Sequence, residues 1–171
     1  AAALDHAAGG LEGRRVLASD LDGGNVNVSP ALSPDGRYVA FLSERDLFGI
    51  DLFLADAQTG EVLQKLQDIA SDGHLDALRF INSAGTWSPD GQKFAFVVFV
   101  EGDNEIAILD VGTREIERRV RVGNIGAIKD PAWSPDGRQL AFVGITGGLS
   151  DLYLVDVEGG TARQLTNDRY M

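Results

Sequence analysis

Short apolar stretches alternate with polar, glycine-bearing turns along most of this chain, and the alternation recurs in three long units. Each unit is headed by a near-copy of one phrase: Leu32-Ser-Pro-Asp-Gly-Arg-Tyr-Val-Ala-Phe41, Trp87-Ser-Pro-Asp-Gly-Gln-Lys-Phe-Ala-Phe96 and Trp133-Ser-Pro-Asp-Gly-Arg-Gln-Leu-Ala-Phe142. The phrases start 55 and 46 residues apart, and self-similarity at such a period marks an array of like units. Within Ser-Pro-Asp-Gly, Pro presets φ at the second position of a type I turn and Asp suits the third. Gly then takes the left-handed conformation that closes a hairpin. Behind the turns run Tyr38–Leu42, Phe94–Val97 and Leu140–Val143, apolar at both odd and even positions. That pattern predicts strands buried between two neighbouring layers.

A second strand follows at near-constant spacing: Asp51–Asp56, Glu105–Asp110 and Asp151–Asp156. Short glycine-bearing turns lead on to a more polar strand at Glu61–Leu66, Glu115–Val120 and Thr161–Thr166. With the short segment entering each Ser-Pro-Asp-Gly turn, every unit holds four antiparallel strands, the last of them the wettest. This is the make-up of one blade of a β-propeller. The phrase Trp-Ser-Pro-Asp-Gly with Ala-Phe behind it, the Asp-Leu-Tyr-Leu-Val-Asp strand and the Gly-Gly-Thr-Ala-Arg-Gln-Leu-Thr strand together resemble the TolB-type (WD-like) propeller repeat. The resemblance runs from Pro30 to Thr166, with Leu32 standing where the other two units have Trp87 and Trp133.

The expected fold is therefore all-β: an incomplete propeller of three four-stranded antiparallel blades, preceded by the outer strand of another blade at Gly13–Leu17. The expected divisions are residues 1–27 for the N-terminal segment, 28–80 for the first blade, 81–130 for the second, and 131–171 for the third with the stub of a next unit. Three blades are too few to close a ring, which typically takes four to eight. An open arc presents an apolar blade face at each end. Three kinds of cover are open: missing blades of a longer parent protein, a second copy completing a homodimeric six-blade ring, or a different protein partner. The parent ranks first, because stacked arrays need capped ends.

Charge narrows the class of partner. The net charge is −11, which disfavours nucleic acid and anionic membrane surfaces. The one basic cluster, Arg114, Arg118, Arg119 and Arg121, alternates with Glu115 and Glu117 and reads as a solvated strand. The apolar run Phe94–Val100 is far too short for a spanning helix, so direct membrane insertion is not expected. There is no cysteine and there are only two histidines, His6 and His74. A His/Cys metal site is thereby excluded, and no cofactor is expected. Asp20-Leu-Asp-Gly-Gly-Asn25 resembles a calcium loop, but its glycine falls one place early and no Glu stands at the twelfth position. It reads as an acidic turn. No Gly-x-Ser-x-Gly elbow, P-loop or dinucleotide fingerprint occurs. Asp35, Asp90 and Asp136 recur because the turn needs them. Asp56, Asp110 and Asp156 recur at strand ends, where a carboxylate can accept from turn amides.

Loops alternate between the two ends of an antiparallel blade. The uniform Ser-Pro-Asp-Gly turns share one end; the variable segments Ser43–Ile50, Glu101–Asn104 and Gly144–Ser150 share the other with the long connection Gln67–Ala84. Variable loops on a stiff scaffold are where recognition usually sits. Phe48, His74, Glu101 and Asp103 are accordingly the candidate partner-binding residues, with no catalytic, cofactor or metal residues expected. The TolB resemblance implies a non-catalytic protein-interaction scaffold, an accessory or structural subunit on a larger envelope or membrane-anchored assembly, located in the periplasm or cell envelope. The alternative is the gating propeller of a prolyl-oligopeptidase-type hydrolase whose catalytic domain lies elsewhere.

Overall fold

The computed structural model describes residues 27–43, 51–66 and 85–167. The expected outer strand at Gly13–Leu17, the acidic turn at Asp20–Asn25 and both histidines lie outside them. Among the described residues there are twelve strands and no helix. They form three four-stranded antiparallel sheets. The first contains β1 (Asn27–Leu32), β2 (Tyr38–Ser43), β3 (Asp51–Asp56) and β4 (Val62–Lys65). The second contains β5 (Thr86–Trp87), β6 (Lys93–Val100), β7 (Asp103–Asp110) and β8 (Glu115–Arg121). The third contains β9 (Ala127–Trp133), β10 (Gln139–Thr146), β11 (Leu149–Asp156) and β12 (Arg163–Gln164). Within each sheet the strands lie in chain order, as in a propeller blade.

The three Ser-Pro-Asp-Gly turns have one geometry. The Gly amide donates to the Ser carbonyl at 2.9 Å in each (Gly36 to Ser33, Gly91 to Ser88, Gly137 to Ser134). These glycines hold φ of 71°, 69° and 70°, a left-handed conformation that a Cβ would penalise. The following hairpins pair in matching register: Ala40 with Leu54, Ala95 with Ile108, Ala141 with Leu154.

Two expectations are corrected. The boundary at residue 131 falls inside β9, which starts at Ala127. Lys129, Ile128 and Ala127 pair with Val143, Gly144 and Ile145 beyond an irregularity in the ladder. Asp130, at φ 52°, and Pro131 sit at that bulge; in sequence they look like a break, but a bulge accommodates proline within a strand. The second correction concerns burial. Every residue of β2 after Tyr38 is buried, on both faces, whereas β10 alternates between buried and partly buried positions.

The core explains the difference. One apolar cluster joins the first two blades: Ala40, Leu42, Leu52 and Leu54 of the first meet Trp87, Phe94, Phe96 and Val98 of the second. Another joins the second to the third: Ala95, Ile106 and Ile108 meet Ile128, Leu140 and Phe142. On the first blade's other face Val39, Phe41, Phe53 and Ala55 are also buried. Among the described residues the third blade's outer face is the more open one, with Leu152 46% exposed.

Candidate functional site

At the end of the blades opposite the Ser-Pro-Asp-Gly turns, β6 and β7 meet in a two-residue turn. Val100 pairs with Asp103, leaving Glu101 and Gly102 as the central residues. Their φ values of 50° and 93° are those of a hairpin turn twisted to match its strands. Glu101 and Asp103 are both exposed. The strands beneath are largely buried, so two carboxylates are held on a stiff rim. Of the other candidates, Phe48 and His74 lie outside the described residues. The segments expected to be loops are shorter than sequence implied: Asp103–Asn104 opens β7, and Gly144–Thr146 and Leu149–Ser150 belong to β10 and β11. Ladder pairing continues out to Gly147 and Gly148, although Gly- and Thr-rich composition reads as loop.

Behind the rim, polar side chains tie strands and blades together. Asn104 is buried and its amide donates to the carbonyls of Ile125 and Gly126 at 3.1 and 3.2 Å, fastening the second blade to the connection into the third. Glu105 pairs with Arg121 at 3.0 Å; the carboxylate is 5% exposed and the guanidinium side chain 85%. Asp51 and Lys65 form the matching pair in the first blade at 2.8 Å, while in the third Asp151 accepts from Thr166 and Gln164. An acid at or near the start of each third strand thus reaches the fourth strand or the residues just after it. The basic cluster is engaged as a solvated strand would be: Arg118 contacts the Glu158 carboxylate at 2.9 Å, and Glu117 pairs with Lys93 at 2.7 Å.

At the opposite end the repeated aspartates have structural roles. Asp35, Asp90 and Asp136 each accept from the Ser hydroxyl two residues earlier at 2.6 Å. Each also accepts from the backbone amide two residues later at 3.0–3.1 Å. The Ser hydroxyl foremost, then that amide, holds all three carboxyls below the ordinary aspartate range. Asp56 accepts from the Gln58 and Thr59 amides and Asp110 from Thr113, as expected of strand-end acids. Asp156 instead accepts from the Gln139 side chain. An open cleft of about 730 Å3 lies here between the second and third blades, lined by Pro89, Asp90, Trp133, Asp136 and Arg138 among others. Sequence gave no sign of it, because it forms where two uniform turns sit side by side. Among the described residues no group of acids and histidines could hold a metal ion.

A family model described as the TolB beta propeller domain matches residues 74–170. The chain belongs to the TolB β-propeller family. Among solved structures, TolB from Acinetobacter baumannii is similar at 28% identity and a TM-score of 0.59, over 83% of this chain and 32% of that one. A putative TolB from Agrobacterium tumefaciens is similar at 21% identity and a TM-score of 0.58, over 81% of this chain and 48% of that one. The β-propeller domain of the Trilobed protease from Pyrococcus furiosus shares the fold at 18% identity and a TM-score of 0.55, over 84% of this chain and 43% of that one. The chain thus spans about a third to a half of the TolB structures it matches. No curated protein matches it by sequence. Within the TolB family pattern, the Trp of the second and third units and the Leu of the first occupy one position. Trp87 is buried between blades, whereas Leu32 is 59% exposed.

Proposed function

We propose that this TolB-like propeller segment is a non-catalytic protein-interaction scaffold, an accessory or structural subunit docked on a larger assembly at the cell envelope. The observation that carries this reading is the acidic rim, where Glu101 and Asp103 stand exposed on a two-residue turn above buried strands. A stiff turn loses little conformational freedom on binding, so its contacts are not offset by an ordering cost. With a net charge of −11, a rim of carboxylates suits a partner that presents basic groups, and steering by such charge weakens with salt. The envelope location follows from the family resemblance alone.

The test is capture of envelope proteins on the immobilised chain, with the bound proteins identified by mass spectrometry. Glu101→Lys with Asp103→Lys should abolish capture of a salt-sensitive partner, while Gln92→Ala, at an exposed position in the opposite turn, should leave it intact. Equal capture by both variants overturns the rim assignment. The likeness to a protease's propeller domain supports a second reading, a propeller that gates a separate hydrolase. A hydrolase domain as the captured partner would favour it.

A further inference from the structure

The Ser-Pro-Asp-Gly turns of neighbouring blades lie side by side, and the two gaps between them are filled differently. Tyr38, Lys93 and Gln139 hold one position, two residues after the glycine of each turn. Between the first and second blades the Tyr38 ring stacks on Trp87, with centroids 6.3 Å apart and planes 14° from parallel. Trp87 is buried there, 8% exposed. Between the second and third blades Lys93 stands in the place of Tyr38, and its Nζ pairs with Glu117 on its own blade's last strand at 2.7 Å. Trp133 therefore lacks the stack that Tyr38 gives Trp87. It is only partly buried, and together with Lys93 it lines the open cleft of about 730 Å3.

The chemistry of the cleft selects its guest. Trp133, Pro89 and Pro135 give it apolar surface. The two turns approach closely, since a Cβ added at Gly137 would stand 3.9 Å from the Pro89 ring. Asp90 and Asp136 therefore border one space. In each, the Ser hydroxyl and the later amide both donate to Oδ1, which leaves Oδ2 for an incoming donor. Those same bonds, the hydroxyl foremost, keep both carboxyls charged at neutral pH. Other charged groups on the lining are engaged: Lys93 with Glu117, Glu158 with Arg118, and Asp156 with the Gln139 amide. Four acids and two bases line the cleft in all, so its field favours a cation.

We propose that this cleft binds an arginine side chain carried on a segment of a partner protein, its guanidinium flat on the Trp133 indole and hydrogen-bonded to the free oxygens of the two turn aspartates. An indole face attracts a cation. Arginine suits it better than lysine, because the guanidinium is planar, weakly hydrated and forked to meet a carboxylate. Such a guest covers Trp133 as Tyr38 covers Trp87, with a charge that the acidic lining matches. The volume is that of a small-ligand site, and the cleft is open, so the segment's backbone crosses the mouth while one side chain enters. The site lies at the opposite end of the blades from Glu101 and Asp103. The inference therefore does not rest on the acidic rim, and either can fail without the other.

The test is titration of the isotope-labelled chain with a capped Gly-Arg-Gly peptide, read by NMR at the indole N–H signals of Trp87 and Trp133. The expected result is a saturable shift at Trp133 with little change at Trp87. The same peptide with citrulline, which keeps the shape and loses the charge, should bind at least roughly tenfold more weakly. Acetylargininamide should bind more weakly than the peptide; equal or tighter binding would make a free small cation the ligand and overturn the partner segment. Lys93→Tyr rebuilds the Tyr38–Trp87 stack in this gap and should abolish the shift. Asp90→Asn with Asp136→Asn keeps the Oδ1 acceptors, so the turns survive, and should weaken binding by roughly tenfold or more. No saturable shift at millimolar peptide, equal binding of the arginine and citrulline peptides, or undiminished binding to either variant would overturn the proposal.

Discussion

The indole of Trp87 donates a 2.8 Å hydrogen bond to the carbonyl of Ala31, joining two sheets through residues 56 positions apart. The ring also stacks against Tyr38 and tilts over Phe94. One side chain therefore performs two tasks: it fills the inter-blade core and satisfies a backbone acceptor on the preceding blade's first strand. Trp133 repeats the bond to Thr86 at 3.2 Å and is less buried.

Separating the two tasks gives a first prediction. Trp87→Phe keeps most of the apolar ring and loses the donor, and should cost about 1 kcal/mol. Trp87→Ala removes the ring as well and should cost roughly 3–5 kcal/mol. Trp133→Phe, with the longer bond, should cost less than Trp87→Phe. Urea denaturation of the three variants checks the order.

Gly85 precedes the second blade's first strand at φ 124°, and an added Cβ would fall on the Ala95 carbonyl oxygen and within 2.9 Å of the Phe94 ring. Gly85→Ala should destabilise by roughly 1–3 kcal/mol, since backbone and a buried ring must both shift. At Gly144 the obstacle is chiefly the Tyr153 ring, 2.6 Å from an added Cβ. A partly exposed side chain can move aside, so Gly144→Ala should cost less in the same denaturation measurement.

Much of this was legible in sequence, for physical reasons that differ by residue. Ser33-Pro-Asp-Gly36 and its two copies encode a turn locally, through the fixed φ of Pro and the left-handed Gly, so turn and register could be read directly. The exposure of Leu152 could not. Asp151-Leu-Tyr-Leu-Val-Asp156 has the same pattern as the buried Asp51-Leu-Phe-Leu-Ala-Asp56, and its neighbour, not the strand itself, decides its burial. The stiffness under Glu101 was hidden as well. The hairpin extends to Asp103 through ladder pairing, which residue composition does not report.

The turn aspartates give a pH prediction. Bonds from Ser33, Ser88 and Ser134 lower the folded-state pKa of Asp35, Asp90 and Asp136. A depressed carboxyl stabilises the fold above its unfolded pKa, and that contribution is lost as pH falls through the folded value. Stability should therefore decline as pH drops below about 4. The Ser33→Ala, Ser88→Ala, Ser134→Ala triple variant should be less stable at neutral pH and show a shallower acid decline. Melting temperatures from pH 7 to pH 2.5 test the slope.

Arg121 neutralises a carboxylate that has little access to water, since Glu105 is 5% exposed. Arg121→Ala should destabilise by about 1–3 kcal/mol, because Glu105 loses a charged donor. Adding Glu105→Gln to that variant should recover part of the loss, and a double-mutant cycle in urea measures the coupling.

The central claim is that three like blades stack through one kind of face, and that this face is covered on the first two and open on the third. The chain has no cysteine, so Leu52→Cys, Ile106→Cys and Leu152→Cys each create one thiol at equivalent positions. Labelling of the folded variants with a small thiol reagent is the most direct measurement. The account predicts that the thiol at 152 reacts at the rate of an exposed thiol, and that those at 52 and 106 are protected by roughly a hundredfold or more. Equal rates at all three positions in the folded protein would contradict it.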